Sequence, residues 1–197
     1  LAIYMNEVRR GLSIEVIPPC VNRSLATFDV VDQKLVYALG ALKNVGVDAM
    51  RLITDARMVE GVDKPFRDLT DFARRCDLKR IGKRPLEMLA RAGAFDQIDP
   101  NRKRVFQSLD ALQAWSAAVI EARHSAQVSL FGDAGDDLPP PRMADTDDWL
   151  PAERLAEEHK AIGFYLSGHP LDDYLPALRR KKVGTMAEIA EQAKSGA

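Results

Sequence analysis

Leu39-Gly40-Ala41-Leu42-Lys43-Asn44-Val45-Gly46-Val47-Asp48-Ala49-Met50-Arg51-Leu52-Ile53 is the stretch whose reading decides the fold. It predicts a short helix ending at Asn44, a tight turn at Val45-Gly46, and a second helix from Val47 to about Glu60. Met50, Ile53 and Ala56/Arg57 recur in that second helix at turn spacing. Asn44 tolerates left-handed backbone and Gly46 carries no side chain, while the first amides of the second helix have no carbonyl to pair with. Together they can form a small cup for an anion. An ordinary capped turn between two helices fits the same spacing.

Upstream, residues 2–10 have helical apolar spacing at Ile3, Tyr4 and Val8, and Gly11 stops them. Leu12, Ile14 and Val16 then alternate as a strand that ends at Pro18-Pro19. Two β-rich runs flank Val31-Asp32-Gln33-Lys34 and predict a hairpin. Downstream, Leu69, Phe72 and Ala73 mark one helix. Pro85, read at a first helical position, starts another through Ala92, and Gly93 stops it. A longer helix is expected from about Asn101 to His124 with a stripe of Val105, Leu109, Leu112 and Ala118/Val119. The fold class expected is mainly α, with a small β-hairpin and strand element near the N-terminus.

Residues 132–148 combine Gly, Pro and acid with almost no large apolar group and read as a disordered linker. A last helix starts near Pro151, carries Leu155, Ile162 and Leu166 on one side, and is read as breaking at Gly168-His169-Pro170.

The 197 residues hold 28 Lys+Arg against 29 Asp+Glu, so no chain-wide positive field draws in nucleic acid. Local charge is polarised: 67–104 has 11 basic and 6 acidic residues, whereas 132–158 has 2 and 9. No apolar run reaches the roughly 18 to 20 residues of a membrane helix, and the start lacks a signal-peptide pattern, so no membrane association and a cytoplasmic location are expected. Beginning at Leu1 inside a helical pattern, the chain reads as part of a longer one. Cys20 and Cys76 form no CxxC pair and read as buried thiols.

Three groups of residues stand out as sites. In the basic stretch Arg74-Arg75, Lys79-Arg80, Lys83-Arg84 and Arg91, no aromatic residues are interleaved. The choice there is between contact with a duplex backbone, led by Arg80, Lys83 and Arg84, and a solvated helix face. Arg102, Lys103 and Arg104 lie at the unfavourable end for a helix dipole, which points to solvation or an anionic partner. Gln127-Val128-Ser129-Leu130-Phe131 puts an apolar pair beside the acidic segment, where it either docks into a partner or packs under the preceding helix. Ser167 and His169 lack an elbow motif and an orienting acid, so no catalytic residue and no metal site is expected.

The stretch 39–53 resembles the helix-hairpin-helix motif, whose hairpin amides grip duplex DNA by its backbone without reading bases. By that resemblance the phosphate-binding residues are Lys43, Asn44, Val45, Gly46 and Val47, with Asn44-Val45-Gly46 in place of the family's Gly-x-Gly. Residues 127–131 resemble the bacterial sliding-clamp-binding pentapeptide, which implies that Gln127 hydrogen-bonds at the mouth of a clamp pocket filled by Leu130 and Phe131, with Ser129 the small residue of the pattern. Burying those two side chains is worth roughly 3 to 6 kcal/mol gross, so micromolar affinity or weaker is expected before DNA contacts add to it.

EVRRGLSIEVIPPCVNRS, LGALKNVG and GFYLSGHPLDDY, in that order, resemble the alpha-subunit family of bacterial DNA polymerase III, the C-family replicative polymerases. Cys20 stands where that family's PPDVN-like element leads one to expect Asp. The resemblance implies the end of the fingers at 1–39, a helix-hairpin-helix and clamp-binding domain at 40–131, a linker at 132–150, and a helical connector toward an OB domain at 151–197. It further implies a parent DNA-directed DNA polymerase whose Mg²⁺ is held elsewhere, with no cofactor on this stretch. The partners implied are duplex DNA, the sliding clamp and other replisome subunits. A noncatalytic clamp adaptor, a repair-type helix-hairpin-helix module or an error-prone polymerase paralogue shares the same motifs.

Overall fold

The computed structural model describes residues 1–128, 138–181 and 183. Leu1–Leu166 form one compact unit and Ser167–Ala197 a second. The chain is mainly helical, with small strands concentrated near the N-terminus. Helix α1 (Ala2–Asn6) runs on as a π turn to Gly11, and β1 is only Val16–Ile17: Ser13, at φ 54°, breaks the extended run expected from Leu12, and Pro18-Pro19 ends the ladder. The expected hairpin is present as β2 (Asp29–Val31) and β3 (Lys34–Val36). Its two loop residues, Asp32 and Gln33, have φ of 50° and 63°, the left-handed pair that a type I′ turn requires. Strand β1 adds to β3 in parallel, giving the order β1-β3-β2.

A 3-10 turn at Leu39–Ala41 precedes α2 (Val47–Arg57). The helix does not reach Glu60 as expected. A second hairpin, β4 (Met58–Val59) and β5 (Val62–Asp63), turns at Glu60-Gly61, both left-handed. Arg57 ends the helix because its guanidinium is drawn inward, donating to Val21 O and Ser24 O and pairing with Asp63 at 2.8 Å. Three short helices follow, α3 (Leu69–Arg75), α4 (Leu78–Ile81) and α5 (Lys83–Arg91). Asp68 caps α3 and Asp77 caps α4, each through its carboxylate. Pro85 is third in α5 rather than first, still within the turn whose amides need no partner. Gly93, at φ 75°, ends that region, and α6 (Arg102–Val128) begins nine residues later.

The core is built on edge-to-face rings, Phe66 on Phe72 and Phe72 on Phe95, each at 5.1 Å. Against them α6 lays Val105, Leu109, Leu112, Ser116 and Val119, a strict helical stripe; Ala118, read as part of it, is exposed. Asn22 ties the Pro-rich segment to Phe66, whose amide donates to Oδ1 and whose carbonyl accepts from Nδ2. Both cysteines are buried. Cys20 Sγ donates to Gln97 Oε1, and burial pushes the Cys76 thiol well above its ordinary range.

Four expectations are corrected. Residues 138–150, read as disordered linker, form an extended strap on α6. Trp115 Nε1 donates to Pro139 O, Ala144 N to Ser108 Oγ, Asn101 Nδ2 to Thr146 O and Lys103 N to Asp148 Oδ1, while Trp149 packs on Phe106. Low hydrophobicity misled here, because the strap is held by hydrogen bonds and by few apolar anchors, Leu138 and Met143 among them. Positions 132–137 lie outside the described residues. Helix α7 (Pro151–Ile162) packs on α5, so the compact unit closes at Leu166 rather than at 131 or 150. It stops at Gly163, φ 96°, and not at Gly168. Finally, Arg102 and Arg104 are not left for an anionic partner; Arg102 is buried and Arg104 half-exposed, and acids of the fold pair with both. Arg102 forms a fork with Asp96 at 2.7 Å and faces buried Glu158 at 3.6 Å, and Arg104 pairs with Asp99 at 2.7 Å.

In the second unit, a 3-10 turn (Asp172–Tyr174) leads into α8 (Leu175–Arg180). His169 N donates to Asp172 Oδ2 at 2.6 Å, closing the turn after Pro170.

Candidate nucleic-acid interface

The hairpin that joins the 3-10 turn to α2 is held from below and open above. Leu39 and Leu42 are buried, and Val45 packs against the core. Asn44 takes φ 59°, the left-handed residue that reverses the chain. Gly46 is the N-cap of α2, with no side-chain cap on the helix end. Its φ of -86° is open to any residue, and a Cβ built there would meet nothing within 4 Å. Neither the turn nor the packing therefore demands glycine. What the missing side chain does provide is clear access to the amides of Gly46, Val47 and Asp48, which find no partner among the described residues.

Two of the expected phosphate ligands have their amides engaged inside the fold. Val45 N donates to Leu42 O at 3.3 Å, and Lys43 N to Ala161 O at 2.8 Å. Lys43 can therefore meet an anion only through its ammonium, which is exposed, as is Asn44. Asp48 is turned outward and paired with Arg51 at 2.9 Å, which offsets part of its negative charge at the helix start. The contribution of α7 through Ala161 was not visible in the sequence, where the segment around it reads as a helix with Leu155, Ile162 and Leu166 on one side.

The basic stretch separates into two sets. Arg75 is structural: its guanidinium donates to Ala56 O, Arg57 O and Lys64 O and lies 4.6 Å over the Phe66 ring. Arg91 is structural too, bonded to Glu157 and stacked on Phe106 at 4.6 Å, and Arg74 lies over Trp115. Lys79, Arg80, Lys83 and Arg84 are exposed around Gly82, the turn between α4 and α5. Of these, Lys83 is paired with Asp110 at 2.6 Å, a bond that raises its pKa, whereas Lys79, Arg80 and Arg84 form no ion pair among the described residues. Helix α4 packs on α2, so this basic turn and the open hairpin belong to one packed set of helices.

Gln127 lies in the last turn of α6, and Ser129, Leu130 and Phe131 lie outside the described residues. Among the described residues no group of three or more His, Cys, Asp or Glu is placed to hold a metal ion, and no helix is long and apolar enough to cross a membrane.

A family model of the helix-hairpin-helix motif matches residues 13–105, the region that carries both the open hairpin and the α4–α5 turn. That region is thus similar to a helix-hairpin-helix module. Over its whole length the chain is 43% identical to a DNA polymerase III subunit alpha of Caulobacter vibrioides. It is 40% identical over 93% of its length to that of Neisseria meningitidis serogroup A, and 37% identical over 97% to that of Thermus aquaticus. The chain covers 17%, 16% and 15% of those relatives, about a sixth of their length. It is a homologue of one stretch of the DNA polymerase III alpha subunits.

Proposed function

We propose that this chain is the part of a bacterial replicative DNA polymerase that grips duplex DNA behind the active site and fastens the enzyme to its sliding clamp. The observation that carries the reading is Gly46, a glycine required by neither φ nor packing, at the uncapped start of α2 beside left-handed Asn44. A phosphate seated there receives the free amides and the positive end of the helix dipole, with Lys43 alongside and Arg80 and Arg84 as further backbone contacts. None of these groups reads a base edge, so binding is independent of sequence and falls steeply with salt.

Gln127, Ser129, Leu130 and Phe131 form the clamp-binding peptide in this reading. The stretch departs from the end of α6, and the chain is anchored again where Trp115 holds Pro139 O at 2.7 Å. Binding of the same chain to nearby duplex DNA raises the effective concentration of this weakly binding peptide at the clamp. The Mg²⁺-dependent nucleotidyl transfer belongs to the remainder of the polymerase, the location is cytoplasmic, and other replisome subunits are further partners. The described residues offer no donor set for that metal.

The test has two arms. Calorimetry against a purified bacterial sliding clamp is expected to give micromolar binding that Leu130→Ala/Phe131→Ala abolishes. Anisotropy with a fluorescent duplex is expected to show binding at low salt with no sequence preference. Absence of clamp binding removes the tether, and absence of duplex binding at low salt removes the DNA grip.

A further inference from the structure

The C-terminal end of α7 touches the open hairpin in two ways. Ala161 O accepts the Lys43 amide at 2.8 Å, which fixes the backbone of the residue just before the turn. The Lys43 side chain then lies across Gly163. A Cβ built on Gly163 would stand 2.6 Å from Lys43 Cε and 3.1 Å from Nζ. Both distances are shorter than ordinary contact, so any side chain at 163 moves the Lys43 head group. Glycine here serves two demands at once, the left-handed φ of 96° that ends α7 and the flat track on which the lysine stem rests. The carbonyl end of α7 is also the negative end of its dipole, which favours an ammonium lying against it.

The surroundings of Gly163 make this a firm platform. Phe164 packs on Tyr37, whose ring is fully buried. Leu166 N donates to buried Glu158 at 2.8 Å, and Leu166 O accepts from Arg9. The track therefore moves little while the long lysine side chain, lying on it, loses much of its rotamer freedom before any ligand arrives.

We propose that Gly163 is a positioning residue for DNA binding: the end of α7 holds the Lys43 ammonium in place beside the phosphate cup at Gly46. The inference rests on the reading of the hairpin as a phosphate-binding site. Its discriminating property is that Gly163 acts only through Lys43.

A double-mutant cycle in duplex affinity, read by anisotropy at fixed low salt, tests it. Lys43→Ala is expected to weaken binding about 5-fold and to lower the salt slope by about 1. Gly163→Asn, which adds a Cβ yet tolerates left-handed backbone, is expected to weaken it about 3-fold. The double variant is expected to bind no more weakly than Lys43→Ala alone. If the two losses multiply, or if Gly163→Asn is silent while Lys43→Ala is not, the positioning role is overturned. A silent Lys43→Ala overturns both the role and the lysine's place in the phosphate site, whereas a wild type that does not bind duplex at all overturns the DNA reading itself. Should Gly163→Asn fail to fold, nuclear Overhauser contacts between the Lys43 ε-methylene and the Gly163 α protons of the wild type decide the matter. They are expected to be strong, and their absence overturns the proposal.

Discussion

Gly46 and Gly163 are both glycines at helix ends, yet they answer to different constraints. Gly163 has the left-handed φ that most L side chains avoid, while Gly46 does not and faces open space. Substituting Gly46 should therefore separate folding from binding. In Gly46→Ser the hydroxyl can cap α2, and thermal stability is expected to hold or rise by a few tenths of a kcal/mol. The same hydroxyl occupies the amides that a phosphate needs, so duplex affinity is expected to fall several-fold. Calorimetric melting and anisotropy on one preparation read both signs, and a variant that gains stability without losing affinity would place the phosphate elsewhere. The sequence already pointed to Asn44 and Gly46, because turn residues carry their backbone demands with them. It could not show that the Lys43 amide is spent on Ala161, since that bond joins positions more than a hundred residues apart.

Among the elements, the ionic contacts at the start of α6 show how strongly tertiary pairing overrides local charge rules. Arg102 and Arg104 stand at the wrong end of α6 for its dipole, an arrangement that local reasoning assigns to solvent or a ligand. Asp96, Asp99 and Glu158 supply the missing compensation from the preceding turn and from α7. Burial by itself lowers the pKa of Arg102, but its bonds to Asp96 and the charge of Glu158 together outweigh that and raise it, and the hydrogen bond to Asp99 raises that of Arg104, so both stay charged. Arg102→Ala leaves Glu158, which is 2% exposed, without its guanidinium, and it frees the space against Gly93. A loss of about 3 to 5 kcal/mol is expected in urea unfolding. A loss under about 1 kcal/mol would mean that the pair contributes little to the fold. The strap at 138–150 carries a related lesson. Its composition is that of a linker, and only the partners Trp115, Ser108, Asn101 and Phe106, all on or beside α6, turn it into structure. Helix existence was legible from period and caps, whereas short elements such as α4 and the β4–β5 hairpin were too brief to show a period.

For the molecule as a whole, the boundary of the compact unit decides what can be cut away. A sequence-based division places the end of the hairpin-bearing domain at 131, yet strap and α7 complete its core, burying Ala161, Ile162 and Leu166. A chain ending at Leu166 is expected to melt cooperatively near the temperature of the full chain. One ending at 131 is expected to lose cooperativity, because Trp115 loses Pro139, Arg91 loses Glu157 and Arg102 loses Glu158. Differential scanning calorimetry of the two truncations checks this, and equal melting of both would return the boundary to 131.

The direction of the strap has a mechanical consequence. It retraces α6 from Trp115 past Ser108 to Asn101 and Lys103, so its hydrogen bonds lie in series along one helix. Tension applied between 129 and 137 enters the fold at the end of α6 and at Pro139. On the strap side it loads the Trp115 bond first, and the others only as each preceding one parts. Such a seam peels at low force, one contact at a time, and rejoins when the load drops. On that side a sudden pull is then taken up along the strap, contact by contact.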